Sequence, residues 1–446
     1  MTERPALGRS AEPEGPTGLP PEARELLVPQ APLGVPLPAY GGRSLPNVVS
    51  SIVRALGAEP SSAAVPALEP SVDPFAGRRA EGPVLLFVVD GLGYDRLLAS
   101  GRRPEGVHAR SWLPHTRPLT STFPTTTTVA LASLSTAAPP SRHGLVGYRQ
   151  FFPRFGSVVD VLRMSPTGVA ADDALLGPAW TPAEVLAAPT VYRHGVPGSV
   201  AVSRDRFEGR GFTRAIYDGA AYEPYSGWSD FADALAHVLS RDTPPPLVTA
   251  YWDELDTVEH LRGPAAGSVD LEIDRLGELL GFVGRAVGPA RSRATTVLLT
   301  ADHGLVPVDP ARQTAVDAEP KLLRHLARPP TGDRRVGFLK ARDGEVELLR
   351  EAVSERFPAG TRIVPSEEAI RLGLFGPPPY HPELAETVAD LVVLVPSPGG
   401  ITYSLPGRKP GRRHLLGGHG GLEPAEFLVP LVSGRLAELG SPPRSG

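Results

Sequence analysis

Six consecutive apolar residues, Val84-Leu85-Leu86-Phe87-Val88-Val89, run straight into Asp90-Gly91-Leu92-Gly93. A strand without polar alternation is buried on both faces, which places it inside a parallel sheet covered by helices. The pattern recurs. Leu247-Val248-Thr249-Ala250-Tyr251 reads as a second strand of this kind. The segment from Ala294 to Thr300 reads as a third, running into Asp302-His303-Gly304. Between and before them, apolar residues at helical spacing predict helices over Val48 to Leu56, Thr127 to Leu134, Trp228 to Leu239 and Val269 to Val287. The alternation defines an α/β fold class with a mostly parallel central sheet flanked by helices. Ligands in such folds sit at the C-terminal edge of the strands.

The remaining chain sorts around that core. Residues 1–35 are rich in Pro, Glu and Gly without periodicity and read as a disordered tail, with order expected from about Ser44. The catalytic core is expected over 36–309 and 401–436. A small α+β lobe is expected as an insertion over 310–400, with strands at Gly337 to Ala341, Arg362 to Val364 and Asp390 to Val395 around a helix at Glu345 to Arg356. Residues 437–446 read as a flexible tail. No apolar leader follows Met1 and no apolar run is long enough to span a bilayer, so a cytoplasmic protein without a membrane partner is expected. The net charge of −4 gives no electrostatic footprint for nucleic acid. Oligomeric state is not encoded in any pattern found. The chain has no cysteine, which removes disulfides, thiolate nucleophiles and cysteine-bound metals. Any metal must be held by carboxylate, imidazole or hydroxyl groups.

Four segments supply such groups. Asp90 ends the first buried strand. Asp256 and His260 lie four apart, on one face of a helical turn. Asp302 and His303 leave the third strand together. His419 stands between glycines in Gly417-Gly418-His419-Gly420-Gly421. Any one of these has an ordinary reading as a strand-end turn, a helix-face ion pair or a surface histidine. Together, three aspartates and three histidines form a suitable donor set for two divalent cations, the arrangement that serves phosphoryl transfer. The stretch Ser121-Thr122-Phe123-Pro124-Thr125-Thr126-Thr127-Thr128 precedes a helix. A hydroxyl there is placed where backbone N–H groups and the helix dipole favour phosphate, though at least one of these threonines is expected to be a helix cap.

In this order and spacing the motifs resemble the alkaline phosphatase superfamily, and within it the nucleotide pyrophosphatase/phosphodiesterase family, over roughly residues 80–150, 185–305 and 410–432. The resemblance implies a nucleophilic threonine within Phe-Pro-Thr-x-Thr, nine residues before a Thr-Gly that leads to His-Gly. Both counts fall on Thr127, with Thr126 and Thr122 as reserves. It implies one cation held by Asp256, His260 and His419, and another held by Asp90, Thr127, Asp302 and His303. Zinc is expected, with manganese or iron compatible with the same donors. His143 is expected to be structural. Two departures stand out: Ala130, where an asparagine three residues after the nucleophile would contact a phosphoryl oxygen, and Thr136-Ala137 in place of Thr-Gly.

The implied activity is hydrolysis of phosphodiester or pyrophosphate bonds in small, nucleotide-like phosphate esters, through a phosphothreonine. The rivals are phosphomonoester or phosphonate hydrolysis on the same scaffold, and a non-catalytic metal- or phosphate-binding homologue. Arg142, Arg149 or Arg193 is expected to line a groove for an anionic leaving group.

Overall fold

The computed structural model describes residues 18–177, 179–404 and 414–441. Its central sheet has seven strands: β1 (Val84–Val89), β2 (Thr116–Thr120), β3 (Val200–Arg204), β4 (Ala221–Tyr225), β5 (Leu247–Trp252), β6 (Thr296–Thr300) and β7 (Leu428–Arg435). Across the sheet they lie in the order β2-β7-β6-β1-β5-β3-β4. From β6 to β4 all pairs are parallel. Only β7 runs antiparallel to its neighbours β2 and β6. Every residue of β1 and β5 is buried, as uninterrupted apolar strands require. Val89 pairs with Trp252 and Val88 with Thr300, so the residues that follow β1, β5 and β6 emerge together at one sheet edge.

The helices Leu45–Ala55, Thr127–Thr136, Trp228–Ser240 and Gly267–Ala286 pack into the same hydrophobic core as the sheet. The first begins three residues earlier than its apolar spacing indicates. Ser44 caps it, with its N–H and Oγ both donating to Asn47 Oδ1 at 2.9 and 2.6 Å. Conversely, β6 starts at Thr296 rather than Ala294, because Pro289–Ala294 forms a short helix. No helix among the described residues is long and apolar enough to cross a membrane.

The second sheet differs from the expected insertion. Its strands lie in the order Arg362–Pro365, Leu391–Leu394, Val336–Leu339, Thr331–Gly332, Arg149–Phe152, Ser157–Asp160 and Ser165–Pro166. The lobe is therefore not built from 310–400 alone, since residues 149–166, assigned above to the core, supply three of its strands. The junction is narrow, a single pairing of Gly332 with Arg149, and joins segments far apart in sequence. Both tails also need correction. Residues 18–35 are packed: the helix Pro21–Glu25 buries Ala23 against Tyr94 and Leu428, and Leu33 and Val35 join the core around Phe123 and Val336. At the other end Leu436–Leu439 is helical, and Leu439 O accepts a hydrogen bond from Trp112 Nε1 at 2.9 Å. The remaining tail residues, 1–17 and 442–446, lie outside the described residues.

Candidate active site

The sheet edge brings the four metal-ligand segments together. Asp90 follows β1, the helix Glu254–Arg262 carries Asp256 and His260, and Asp302 and His303 follow β6. Gly91 makes the approach possible. Its φ is +83°, and a Cβ there would stand 3.0 Å from Asp256 Cα. Its N–H also donates to Asp302 Oδ1 at 3.1 Å.

All three histidines are oriented in the same way. His260 Nδ1 donates to Gly417 O at 2.8 Å, His419 Nδ1 to Thr125 O at 2.9 Å, and His303 Nδ1 to Gly304 O at 3.2 Å. With each Nδ1–H tied to a carbonyl, each Nε2 keeps its lone pair for a cation. His303 Nε2 lies 3.6 Å from Asp90 Oδ1, 3.4 Å from Asp302 Oδ2 and 3.2 Å from Thr127 Oγ1. His260 Nε2 lies 3.2 Å from Asp256 Oδ1. Two donor clusters result, Asp256–His260–His419 and Asp90–Asp256–His303, with Asp256 common to both.

Asp90 Oδ1, Asp256 Oδ1 and Asp302 Oδ2 are buried and meet no hydrogen-bond donor among the described residues. Burial raises the pKa of all three aspartates: Asp90 well above the usual carboxylate range, Asp256 to about 7 and Asp302 to about 6. The charges of Asp302 and Asp256 push Asp90 further up, while His260 opposes the rise at Asp256. Burial also lowers His303 to about 3 and His419 well below the ordinary imidazole value, so both rings are neutral. Three crowded carboxylates beside the neutral rings of His303 and His419 form a donor set that divalent ions would complete. The residues therefore fit a two-cation site.

Thr127 opens the helix Thr127–Thr136 and is the threonine beside His303. The reserves sit elsewhere: Thr126 is the helix-cap residue, and Thr122 is fully buried with its hydroxyl donating to Pro124 O. Thr125 holds the glycine loop. Its Oγ1 donates to Gly421 O and accepts from Gly420 N, both at 2.9 Å. His143 is buried, with Nε2 2.9 Å from Ser133 Oγ, consistent with the structural role expected. Ala130 is enclosed in the core and lines neither of the cavities at the site.

Of the three arginines considered, Arg142 is spent on the carbonyls of Ala63, Ala64 and Pro378, and Arg193 pairs with Asp218. Only Arg149 lines a cavity at the site, one of about 730 Å³ that also exposes Arg334, Asp333, His260 and His419. A second cavity, about 250 Å³, opens on Asp90, Thr127 and Asp256 and has an apolar wall of Leu131, Leu162, Phe207, Phe212 and Ile216.

Three contributors carry no local signal in the sequence. The Tyr251 hydroxyl donates to Asp90 Oδ2. Asp333, from the small lobe, holds Oδ2 3.6 Å from His419 Nδ1. Tyr148 borders both cavities.

The sheet edge and the donor set together define a candidate metal site at the C-terminal ends of parallel strands. The sequence profile of the type I phosphodiesterase / nucleotide pyrophosphatase family matches residues 84–420, and the chain belongs to that family. Among solved structures, murine ectonucleotide pyrophosphatase / phosphodiesterase 5 is 19% identical, with a TM-score of 0.58 over 78% of this chain and 87% of that one. An inactive variant of that murine protein, in complex with AMP, aligns with a TM-score of 0.57 at the same identity and coverage. Phosphonoacetate hydrolase from Sinorhizobium meliloti 1021 is 17% identical, with a TM-score of 0.55 over 80% and 92% of the two chains. No curated protein sequence matches the chain.

Proposed function

We propose that this chain hydrolyses phosphodiester or pyrophosphate bonds of small phosphate esters through a phosphothreonine at Thr127, with two zinc ions bound among the three aspartates, the three histidines and Thr127. The observation that carries this reading is the position of Thr127 Oγ1, 3.2 Å from His303 Nε2 at the start of a helix, where three carboxylates and three imidazoles converge. Asp256, His260 and His419 would hold one ion; Asp90, Asp302, His303 and the Thr127 oxygen would hold the other. When bound, the ions supply the positive charge that lowers the pKa of a hydroxyl or water and offsets charge on phosphoryl oxygens.

Thr127 Oγ1, its proton lost to solvent, attacks phosphorus, and the bond to the leaving oxygen breaks on the opposite side. Water then enters along that path, cleaves the phosphothreonine and regenerates the hydroxyl. The carbonyls of Gly417, Thr125 and Gly304 keep the imidazoles in register through both steps. Tyr251 holds Asp90 in place. The apolar cavity beside Thr127 suits a compact aromatic or aliphatic substituent, and AMP in the related inactive enzyme is a ligand of this general kind.

The test is release of nitrophenol from bis-nitrophenyl phosphate and from the monoester by zinc-loaded protein, with Thr127→Ala as the comparison. Thr127→Ala is expected to lower turnover by several orders of magnitude. Turnover unchanged by Thr127→Ala, or by removal of the metal, contradicts the proposal. Faster cleavage of the monoester, or of a phosphonate, assigns the chain to a sister reaction on the scaffold.

A further inference from the structure

We propose that Arg334 forms an anion subsite that binds a second phosphate or carboxylate carried by the departing part of the substrate. The inference deepens the phosphoryl-transfer reading and rests on it for the direction of departure.

The two cavities meet at Tyr148, His260 and His419, but Thr127 borders only the apolar one. In-line displacement sends the leaving oxygen away from the attacking hydroxyl. The larger cavity opens beyond His260 and His419, the two imidazoles it shares with the smaller one, and is the space the proposal assigns to the departing group. The apolar wall of the smaller cavity would leave an extra anion without a partner, a costly arrangement. Its bordering arginine, Arg210, is already paired with Asp172.

In the larger cavity Arg334 is available. Its side chain runs along Gly418, the residue before His419, where an added Cβ would lie 3.3 Å from Arg334 Cδ. Among the described residues no carboxylate or carbonyl meets its guanidinium within hydrogen-bond or ion-pair distance. Its neighbours are engaged. Arg335 is enclosed with Glu423, Glu426 and Gly399 O. Arg149 holds Asp160 at 3.2 Å and Tyr403 O at 3.1 Å.

The adjacent carboxylate, Asp333, does not neutralise Arg334 by contact. Its Oδ1 accepts the Arg334 backbone N–H at 2.6 Å, and its Oδ2 stands 3.6 Å from His419 Nδ1. Burial in the cleft, with the nearby Arg149 charge, pulls the Arg334 pKa below its ordinary value against the pull of Asp333. A half-buried guanidinium facing a like charge is stabilised by a bound anion, and its planar fork matches phosphate or carboxylate oxygens.

The test is calorimetric binding to zinc-loaded protein of three non-hydrolysable probes: methylphosphonate with one anionic group, methylenebisphosphonate with two phosphonates, and 2-carboxyethylphosphonate with a phosphonate and a carboxylate. The wild type is expected to bind at least one two-anion probe more tightly than methylphosphonate. Whichever arm shows that preference identifies the second anion. Arg334→Gln is expected to reduce the preference at least tenfold, and Arg334→Lys, which keeps the charge without the fork, to reduce it by less.

Thermal unfolding of both variants reports whether they fold, and Arg334→Lys carries the test if Arg334→Gln does not. No preference in the wild type, an unchanged preference in the variants, or equal loss for all probes overturns the subsite. Because binding is read without turnover, an inactive enzyme that still shows the Arg334-dependent preference sinks the hydrolase reading and leaves the subsite standing.

Discussion

Asp333→Asn tests how the small lobe acts on the metal centre. Asp333 Oδ2 is buried, meets no hydrogen-bond donor among the described residues, and lies 3.6 Å from His419 Nδ1. The Nδ1 proton is already given to Thr125 O at 2.9 Å, so the carboxylate acts on the ring through charge. Two unit charges about 4 Å apart interact by about 4 kcal/mol at an effective dielectric constant of about 20. An imidazole bound to a cation carries only part of a unit charge, which leaves about 1.4–2.8 kcal/mol, or a ten- to hundredfold change in affinity. Asparagine preserves shape and removes the charge. Competition titration against a chromophoric chelator should show zinc affinity at the Asp256–His260–His419 cluster falling by that factor. The unfolding midpoint of the metal-free protein should stay close to wild type. A zinc affinity within about twofold of wild type would refute the reasoning.

Three other outcomes follow from the same geometry. Gly91→Ala places a Cβ 3.0 Å from Asp256 Cα at a φ of +83°, so a stability loss of about 1–3 kcal/mol, with weaker metal binding, is expected in chemical denaturation. Thr125→Val removes two buried hydrogen bonds that hold the loop around His419, and should lower zinc affinity while leaving the secondary structure seen by circular dichroism intact. In metal-free protein, Asp90, Asp256 and Asp302 have raised pKa values and therefore hold protons that the unfolded chain has released. The stability this provides is lost as pH rises through those values. His303 and His419, with lowered values, act in the opposite direction and only below the unfolded imidazole pKa of about 6.5. Stability of the metal-free protein should thus fall from about pH 6.5 to about pH 8, and zinc, which holds the carboxylates ionised, should flatten that slope. A rising slope in thermal midpoints would contradict it.

What the sequence made legible was local. Uninterrupted apolar strands declare a buried parallel sheet, and β1 appears with the boundaries its residues indicate. Asp90, the Asp256–His260 pair and Asp302–His303 stand at strand ends or on one helical turn, where spacing alone limits their positions. The rest depends on contacts distant in sequence. The pairing of Gly332 with Arg149 rests on one junction between short strands, so no periodicity marks residues 149–166 as part of the small sheet. Asp333 and Arg334 reach the site only because that sheet packs beside the glycine loop. Tyr251 reads as one more apolar-strand residue until its hydroxyl is seen on Asp90. The proline-rich stretch 18–35 lacks periodicity yet buries Ala23, Leu33 and Val35, since isolated side chains fill gaps in an existing core without a repeating pattern.

The central claim is that Thr127 becomes covalently phosphorylated during turnover. Acid quenching of zinc-loaded enzyme with a diester substrate, followed by peptide mass spectrometry, tests it most directly. The account predicts a phosphate on the peptide containing Thr127, absent without metal and absent in Thr127→Ala. Turnover with an unmodified Thr127 at every time sampled, and undiminished in Thr127→Ala, would contradict it.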